Sequence, residues 1–351
     1  MKWNFLQKLF GNTKNEVNNP ESAQNEDEHY LSTLDTVTIL QRAKNKTKSK
    51  NYNGALFNIN FVLNLEPENI DAFIQRSDVK RKLKDDIGAK EDLDHAGHLI
   101  KKLDRGLKAY EKGIEKLNSL DYKSAIKYFT DAISANIDTY GAYYYRGLSK
   151  RYFGDYRGAI PDYNKAIELN PNYTEAYYDR GKIKYHKLDD SNGALIDFNR
   201  AIELNPSDAD IYVSRAILKS SIDDDEGAMN DYNKAIQLKP TEAQTYFSRA
   251  MLKFKPEDFH GAIQDLDKAI ELKIPDDASV SMFDAYSLRG NLKYIMKDYE
   301  GSIRDFDIAL EYEPNDGKTY FERGEARLSL GQNDLAAEDK FMAIKLGYDE
   351  E

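Results

Sequence analysis

The feature that most constrains this 351-residue sequence is a motif that returns about every 34 residues. A basic residue followed by a small one marks nine copies, and successive copies lie 34, 36, 34, 34, 35, 34, 40 and 34 residues apart. A fixed period of this length is typical of repeat arrays, in which each unit packs mainly against its neighbours. The marked pairs are Arg42–Ala43, Arg76–Ser77, Lys112–Gly113, Arg146–Gly147, Arg180–Gly181, Arg215–Ala216, Arg249–Ala250, Arg289–Gly290 and Arg323–Gly324.

Within each copy the residues follow the pattern of two amphipathic helices. In the fourth copy, apolar and aromatic residues fall at helical spacing from Tyr143 to Phe153, and Gly154–Asp155 ends that helix and caps the next. A second amphipathic helix is predicted over 156–169. Asn170–Pro171 ends it, because proline and the residue before it disfavour helical continuation. Each copy therefore predicts a helix hairpin.

We expect two regions along the chain. Residues 1–30 are predicted to hold an amphipathic start, MKWNFLQKLFG, followed by a disordered polar linker rich in Asn and Glu. The start lacks the continuous apolar stretch and the small-residue cleavage site of a signal peptide. Residues 31–351 are predicted to form the repeat array. Its nine repeats are expected near 36–69, 70–105, 106–139, 140–173, 174–208, 209–242, 243–278, 279–316 and 317–351.

Six positions recur in the copies: an aromatic residue, a small residue four later, then alanine, aromatic, alanine and proline. In the fourth copy they are Tyr143, Gly147, Ala159, Tyr163, Ala166 and Pro171, and in the sixth Tyr212, Ala216, Ala228, Tyr232, Ala235 and Pro240. This pattern resembles the tetratricopeptide repeat over about residues 36–351. The sequence departs from this pattern in the first repeat at Ile59 and Val62, in the third at Ile137 and in the ninth at Lys340. The resemblance implies an all-α, right-handed superhelical solenoid of about nine hairpins.

In the family that this repeat resembles, the first helix of each hairpin lines the concave surface. The resemblance therefore implies a peptide-binding groove, with Ile217 and Met251 one turn beyond its first row of side chains. Some of these groove residues are expected to pack between neighbouring repeats. The remainder is expected to be an aromatic inner face suited to an extended peptide or a partner helix. The predicted groove residues are Tyr110, Tyr144, Tyr178, Lys182, Tyr185, Phe247, Phe254 and Tyr294.

An aspartate recurs sixteen residues after the repeat arginine, and seventeen after Arg180, where the turn has one extra residue. Because a guanidinium group can grip a carboxylate with two bonds, we predict an ion pair between the two helices of each hairpin. The basic residues Lys112 and Arg42 have Tyr128 and Asn58 at the later position instead. The predicted pairs are Arg76–Asp92, Arg146–Asp162, Arg180–Asp197, Arg215–Asp231, Arg249–Asp265, Arg289–Asp305 and Arg323–Asp339.

The sequence carries no recognisable set of catalytic residues or cofactor ligands. It has no cysteine, which excludes disulfides, thiolate chemistry and cysteine-based zinc sites. His95 and His98 lie three residues apart, but no third histidine lies near them, so a solvated helix face is expected there. The run 223–226, DDDE, is expected to cap a helix, because it lacks the alternating carboxylates and glycine of a calcium loop. We therefore predict no catalytic residue, no metal and no cofactor.

The charge of the chain bears on its partners. A net charge of −11 argues against general nucleic-acid binding, because that affinity comes mainly from neutralising phosphates. The charge is uneven: residues 1–30 sum to −2, residues 31–120 to +4 and residues 121–351 to −13. One interpretation is an ordinary solvated surface. The sharper interpretation is a basic N-terminal portion that meets an acidic partner.

These observations predict a non-enzymatic, cytoplasmic scaffold that binds a peptide or partner protein in its groove. The partner is expected to carry apolar anchors and some positive charge, to match the aromatic stripe and the acidic residues Glu175 and Asp210. An alternative is a peripheral membrane or assembly factor, held weakly by the N-terminal amphipathic segment. An enzyme is a distant third interpretation, since no catalytic motif supports it.

Overall fold

The computed structural model describes residues 31–135, 137, 139–255, 257–275 and 280–348. These residues form seventeen α-helices and no β-strand, which confirms the predicted all-α repeat fold. No helix among them is both long enough and apolar enough to cross a membrane. The predicted amphipathic start and linker of residues 1–30 lie outside the described residues. The helices are α1 (Thr36–Lys48), α2 (Tyr52–Leu65), α3 (Ile70–Lys82), α4 (Asp86–Asn118), α5 (Tyr122–Ser134), α6 (Tyr140–Phe153), α7 (Tyr156–Leu169), α8 (Thr174–Leu188), α9 (Ser191–Leu204), α10 (Ala209–Ser221), α11 (Asp225–Leu238), α12 (Ala243–Phe254), α13 (Phe259–Leu272), α14 (Met282–Ile295), α15 (Tyr299–Tyr312), α16 (Gly317–Ser329) and α17 (Asn333–Lys345).

A short motif begins the second helix of most hairpins. An aspartate precedes the helix, and its carboxylate accepts a hydrogen bond from the glycine N–H three residues later, as at Asp155 and Gly158 (2.9 Å). This cap satisfies one of the N–H groups that a helix start leaves without a partner. A Cβ at Gly158 would lie 2.0 Å from the Asp155 carboxylate as it is placed, so glycine lets the carboxylate sit close over the helix start. The same cap occurs at Asp85, Asp190, Asp224, Asp258 and Asp298.

The described residues divide into two compact units. Of the described residues, those in 31–116 and 127–138 form the first unit, and those in 117–126 and from 139 onward form the second. In the second unit, helices α6 to α17 pair in sequence as six hairpins.

Buried alanines and rings join each hairpin of the second unit to the next. Ala159, Tyr163 and Ala166 of α7 are fully buried and form one core with Ala176 and Ile183 of α8. The small alanines let the helices approach closely, and the ring fills the space between them. The same arrangement recurs one hairpin later, with Ala194, Phe198 and Ala201 of α9 packed with Ile211 and Leu218 of α10.

The longest helix joins two of the predicted repeats. α4 runs without interruption over Asp86–Asn118, so the boundary predicted between the repeats 70–105 and 106–139 falls inside a helix. The local sequence LDRG has no proline to stop the helix, and Gly106 stays helical. A Cβ at Gly106 would lie 2.7 Å from Ile137, so the glycine permits a close approach of the chain that follows α5. The second helix of one hairpin and the first helix of the next are therefore one continuous helix.

The predicted ion pairs are present in all seven hairpins that carry both residues. In one of them, Nε and Nη2 of Arg180 donate to the two carboxylate oxygens of Asp197, at 2.9 and 2.5 Å. A second cation, Lys184, contacts the same buried carboxylate at 2.8 Å. Nη1 of Arg180 also donates to Asn164 of the preceding hairpin, at 2.6 Å. The cluster thus ties two helices of a hairpin to each other and to a neighbour. The equivalents of Lys184 are Lys80, Lys150, Lys219, Lys253, Lys293 and Arg327.

The ion pair of the first unit predicts sensitivity to acid. Burial alone would raise the pKa of the Asp92 carboxyl, but hydrogen bonds from Arg76 and Lys80 hold that pKa below its ordinary value of 3.8. A lowered pKa in the folded state means that the pair stabilises the fold above about pH 4, and that this contribution is lost as the pH falls further. We expect Asp92→Asn to lower the thermal midpoint at neutral pH, and the difference from the wild type to shrink in acid. Thermal melts of both proteins at about pH 7 and about pH 3 measure this difference, and an equal difference at both would contradict the prediction.

Candidate functional site

The first helices of the second unit present three rows of side chains. The inner row lies two residues before the repeat arginine, and the groove face lies two and five residues after it, so all three positions share one side of a helix. The inner row consists of Tyr144, Tyr178, Val213, Phe247, Ser287 and Phe321. The groove face consists of Leu148, Lys182, Ile217, Met251, Asn291 and Glu325, with Arg151, Tyr185, Ser220, Phe254, Tyr294 and Leu328.

The inner row mainly holds neighbouring hairpins together. The Tyr144 side chain is only 8% exposed, and its hydroxyl donates to a carboxylate oxygen of Asp179 on the next first helix, at 2.9 Å. The Tyr178 hydroxyl lies 3.0 Å from the Ser214 hydroxyl, again one hairpin further on. Phe247 is buried in the core formed by α12 and its neighbours. These predicted groove residues therefore offer little free side-chain surface, and they set the spacing of the first helices.

A polar cluster surrounds Asp179, which is buried and directly precedes a repeat arginine. Besides the Tyr144 hydroxyl, it contacts the Lys182 ammonium at 2.8 Å and the Arg151 guanidinium at 3.5 Å. Burial, and then the charge of Asp179, raise the pKa of the Tyr144 hydroxyl well above its ordinary value of 10.0. The hydroxyl is therefore a permanent donor at neutral pH. The Lys182 ammonium also lies 4.0 Å from the centre of the Tyr178 ring, so this predicted groove residue belongs to a fixed cluster.

Four apolar side chains of the groove face are exposed: Ile217 is 40% exposed, Met251 50%, Phe254 43% and Leu328 45%. Tyr185 and Tyr294 are half-buried. Each of these two tyrosine rings packs beside a neighbour, which covers part of it. Three of the four exposed side chains, Ile217, Met251 and Phe254, lie on the neighbouring first helices α10 and α12.

Tyr110 is the predicted groove residue that belongs to the first unit. It lies on α4, and its ring meets the Phe129 ring of α5 edge to face, with centroids 5.7 Å apart. Such a contact is favourable because the ring edge and the ring face carry opposite partial charges. Tyr110 therefore helps to pack α4 against α5.

Comparison with known families agrees with this arrangement of hairpins. Models of the tetratricopeptide repeat match residues 147–189, 174–208, 209–242 and 288–345. The chain is a tetratricopeptide repeat protein. Among curated proteins, none matches its sequence.

Several solved structures are similar to this chain. PilF of Pseudomonas aeruginosa is 13% identical, with a TM-score of 0.53, and the match covers 65% of this chain and 98% of that one. MamA of Desulfovibrio magneticus RS-1 is 20% identical, with a TM-score of 0.46, and the match covers 50% of this chain and 98% of that one. The C-terminal part of a repeat protein from Cytophaga hutchinsonii is 16% identical, with a TM-score of 0.49 and coverage of 81% and 98%.

Four of the six tetratricopeptide positions are buried in a representative hairpin. In the hairpin of α8 and α9, the small residue Gly181 and the alanines Ala194 and Ala201 are buried, and the aromatic position is Phe198, with no exposed surface. A Cβ at Gly181 would lie 2.8 Å from the Phe198 ring, which explains why this ring faces a glycine. The family pattern thus fixes how the hairpin closes and leaves the groove face free to vary between hairpins.

Proposed function

We propose that this tetratricopeptide repeat protein is a scaffold that binds an extended or helical peptide on the groove face of its second unit. The observation that carries the proposal is the exposure of Ile217, Met251 and Phe254 on the groove face of α10 and α12. These two helices share a core with α11, which fixes where the two helices lie. Exposed apolar surface on a rigid helical frame is typical of sites that receive the anchors of a peptide.

The charges near this surface favour a cationic ligand. Glu175 and Asp210 are exposed near the starts of α8 and α10. Residues 117–126 and 139–351, which form the second unit, sum to −12, so the field of this unit attracts positive charge. We therefore propose a ligand with apolar anchors flanked by lysine or arginine.

Peptide display against the full chain provides the test. We expect the selected peptides to carry apolar anchors and basic flanks, and the double variant Met251→Glu/Phe254→Glu to weaken their binding at least about tenfold, or about 1.4 kcal/mol. The reason is that each glutamate replaces an apolar contact with a charge that must lose its water when the anchor binds. Fluorescence anisotropy with labelled peptides measures the affinity.

Ile196→Glu is the matched control, because Ile196 is also an exposed apolar residue, at 68%, but lies on the second helix α9. This variant should bind the selected peptides as the wild type does. Circular dichroism should show equal helix content in all three proteins. Peptides that bind the double variant as tightly as the wild type would overturn the proposal.

A further inference from the structure

The first unit contains a second, different surface. An open pocket of about 570 Å³ lies between α4 and α5. Its α4 side presents Lys102, Arg105, Lys108 and Lys112, and its α5 side includes Tyr128 and Asp131. Both sides of the pocket belong to the first unit. Four cations against one carboxylate give these six residues a net charge of +3.

The pocket forms where this hairpin departs from the repeat. Lys112 stands in place of the repeat arginine, and Tyr128 in place of its aspartate partner. Within the part of the chain that the structure describes, Lys112 forms no ion pair, and its ammonium lies 5.8 Å from the centre of the Tyr128 ring. The cation that other hairpins use internally therefore points at the pocket.

Lys108 marks the same departure. It lies four residues before the repeat position, and its side chain is 67% exposed. In seven other hairpins this position holds a small or apolar residue, or threonine, and is at most 3% exposed. Those residues are Ala72, Ala142, Ala176, Ile211, Thr245, Ala285 and Thr319.

In the second unit, a helix covers this position. Ala176 packs in the core of α7, Ile211 in the core of α9, and Ala285 in the core of α13. In each case the cover is the second helix of the preceding hairpin. For the hairpin of α5 and the C-terminal half of α4, the preceding second helix is the N-terminal half of α4 itself. The two halves form one continuous helix. A straight helix cannot fold back over its own C-terminal half, so this face of α4 and α5 lacks the cover that the other hairpins have.

The cations of the pocket are free to exchange partners. Lys102 contacts Glu68 at 3.1 Å, and Lys108 contacts Asp104 at 2.7 Å in an exposed pair along α4. Arg105 donates to the carbonyl of Lys101. Exposed ion pairs of this kind contribute little to stability, so a ligand that brings better-placed carboxylates can replace them.

We propose that this pocket binds an acidic amphipathic α-helix of a partner protein. The helical shape of the ligand follows from the fold, since a helix fills the equivalent space elsewhere in the chain. The chemistry follows from the charges, since Arg105, Lys108 and Lys112 are spaced along one side of α4 and match carboxylates at helical spacing on a partner. This site is separate from the groove face, and it does not depend on the function proposed above.

A synthetic helix is the probe for this site. It is a side-chain-stapled peptide of about four turns, with glutamates along one side and alanines beside them, tested on the full chain by fluorescence anisotropy. We expect binding to weaken at least about tenfold in the triple variant Arg105→Gln/Lys108→Gln/Lys112→Gln. Glutamine is unbranched and polar, and its helix preference is close to those of lysine and arginine, so the helix itself should persist.

The matched control is Lys90→Gln/Lys123→Gln/Lys127→Gln, which removes three exposed lysines outside the pocket. It should bind the peptide nearly as the wild type does. A proline-containing peptide of equal charge, which cannot form the helix, should bind much more weakly. The proposal is overturned if that peptide binds equally well, if both triple variants lose the same affinity, or if no binding appears at about millimolar peptide. A dimer of the wild type that the pocket variant abolishes would also overturn it, because the occupant would then be a second copy of the chain.

Discussion

Asp197→Ala is expected to lower the free energy of unfolding of its hairpin by about 3 kcal/mol or more. Asp197 has no exposed surface, and it is the shared partner of Arg180 and Lys184. Both cations are less than one-fifth exposed, so removal of the carboxylate leaves two partly buried positive charges side by side. Amide hydrogen exchange of α8 and α9 measures the loss locally, which suits an array in which each hairpin contributes its own stability.

Glu203→Ala provides the control for this prediction. Glu203 also pairs with an arginine, Arg200, but both side chains are exposed on the surface of α9. Exposed pairs contribute about 0–1 kcal/mol, so exchange in this variant should stay close to that of the wild type. Equal effects of the two substitutions would show that the buried pairs do not stabilise the hairpins.

Phe198→Ala is expected to destabilise the same hairpin by about 3–5 kcal/mol. The ring is fully buried between α8, α9 and α10, and its removal leaves a cavity that the closely packed alanines around it cannot fill. Urea denaturation followed by circular dichroism measures the effect. Phe341→Ala, which removes a ring that is 67% exposed on α17, should change stability by less than about 0.5 kcal/mol.

The contact between Phe198 and Gly181 gives this prediction a further check. Gly181→Ala places a methyl group about 2.8 Å from the ring and should destabilise the wild type. In a Phe198→Leu background the ring is absent, so Gly181→Ala should reduce stability less than it does in the wild type. Additive effects of the two substitutions would contradict the packing described for this hairpin.

The hairpins and their ion pairs could be predicted from spacing alone. Helical periodicity, the proline stops and the interval of sixteen residues between arginine and aspartate are all local signals in the sequence. The lysine four residues after the arginine was as regular a signal, and it was missed. Its role becomes clear only when Lys184 and Arg180 are seen to contact the same carboxylate.

The burial of the groove residues was harder to predict. Periodicity places Tyr144 and Phe254 on the same side of their helices, yet Tyr144 is nearly buried and Phe254 is exposed. The difference depends on the next hairpin, because Asp179 of that hairpin accepts a hydrogen bond from the Tyr144 hydroxyl. A contact between residues 35 apart in sequence leaves no mark on either helix taken alone.

The continuous helix α4 was not predicted either. The repeat frame placed a turn near Gly106, because the period alone expects one there. Helices stop where a residue stops them, and the stretch around Gly106 contains no proline, unlike the Asn170–Pro171 stop between two later hairpins. The period is therefore a weaker guide to helix ends than the stop signals themselves.

The central claim, that a polypeptide binds on the groove face of the second unit, can be tested directly by site-specific photo-cross-linking in the cells that make the protein. A photoreactive amino acid is placed at Ile217, at Met251 or, for comparison, at Ile196 on a second helix. All three side chains are exposed and apolar, so they differ mainly in their place in the hairpin. We expect cross-linked polypeptide at Ile217 and Met251 and little or none at Ile196. Cross-links confined to Ile196, or absent from both groove positions, would contradict the account.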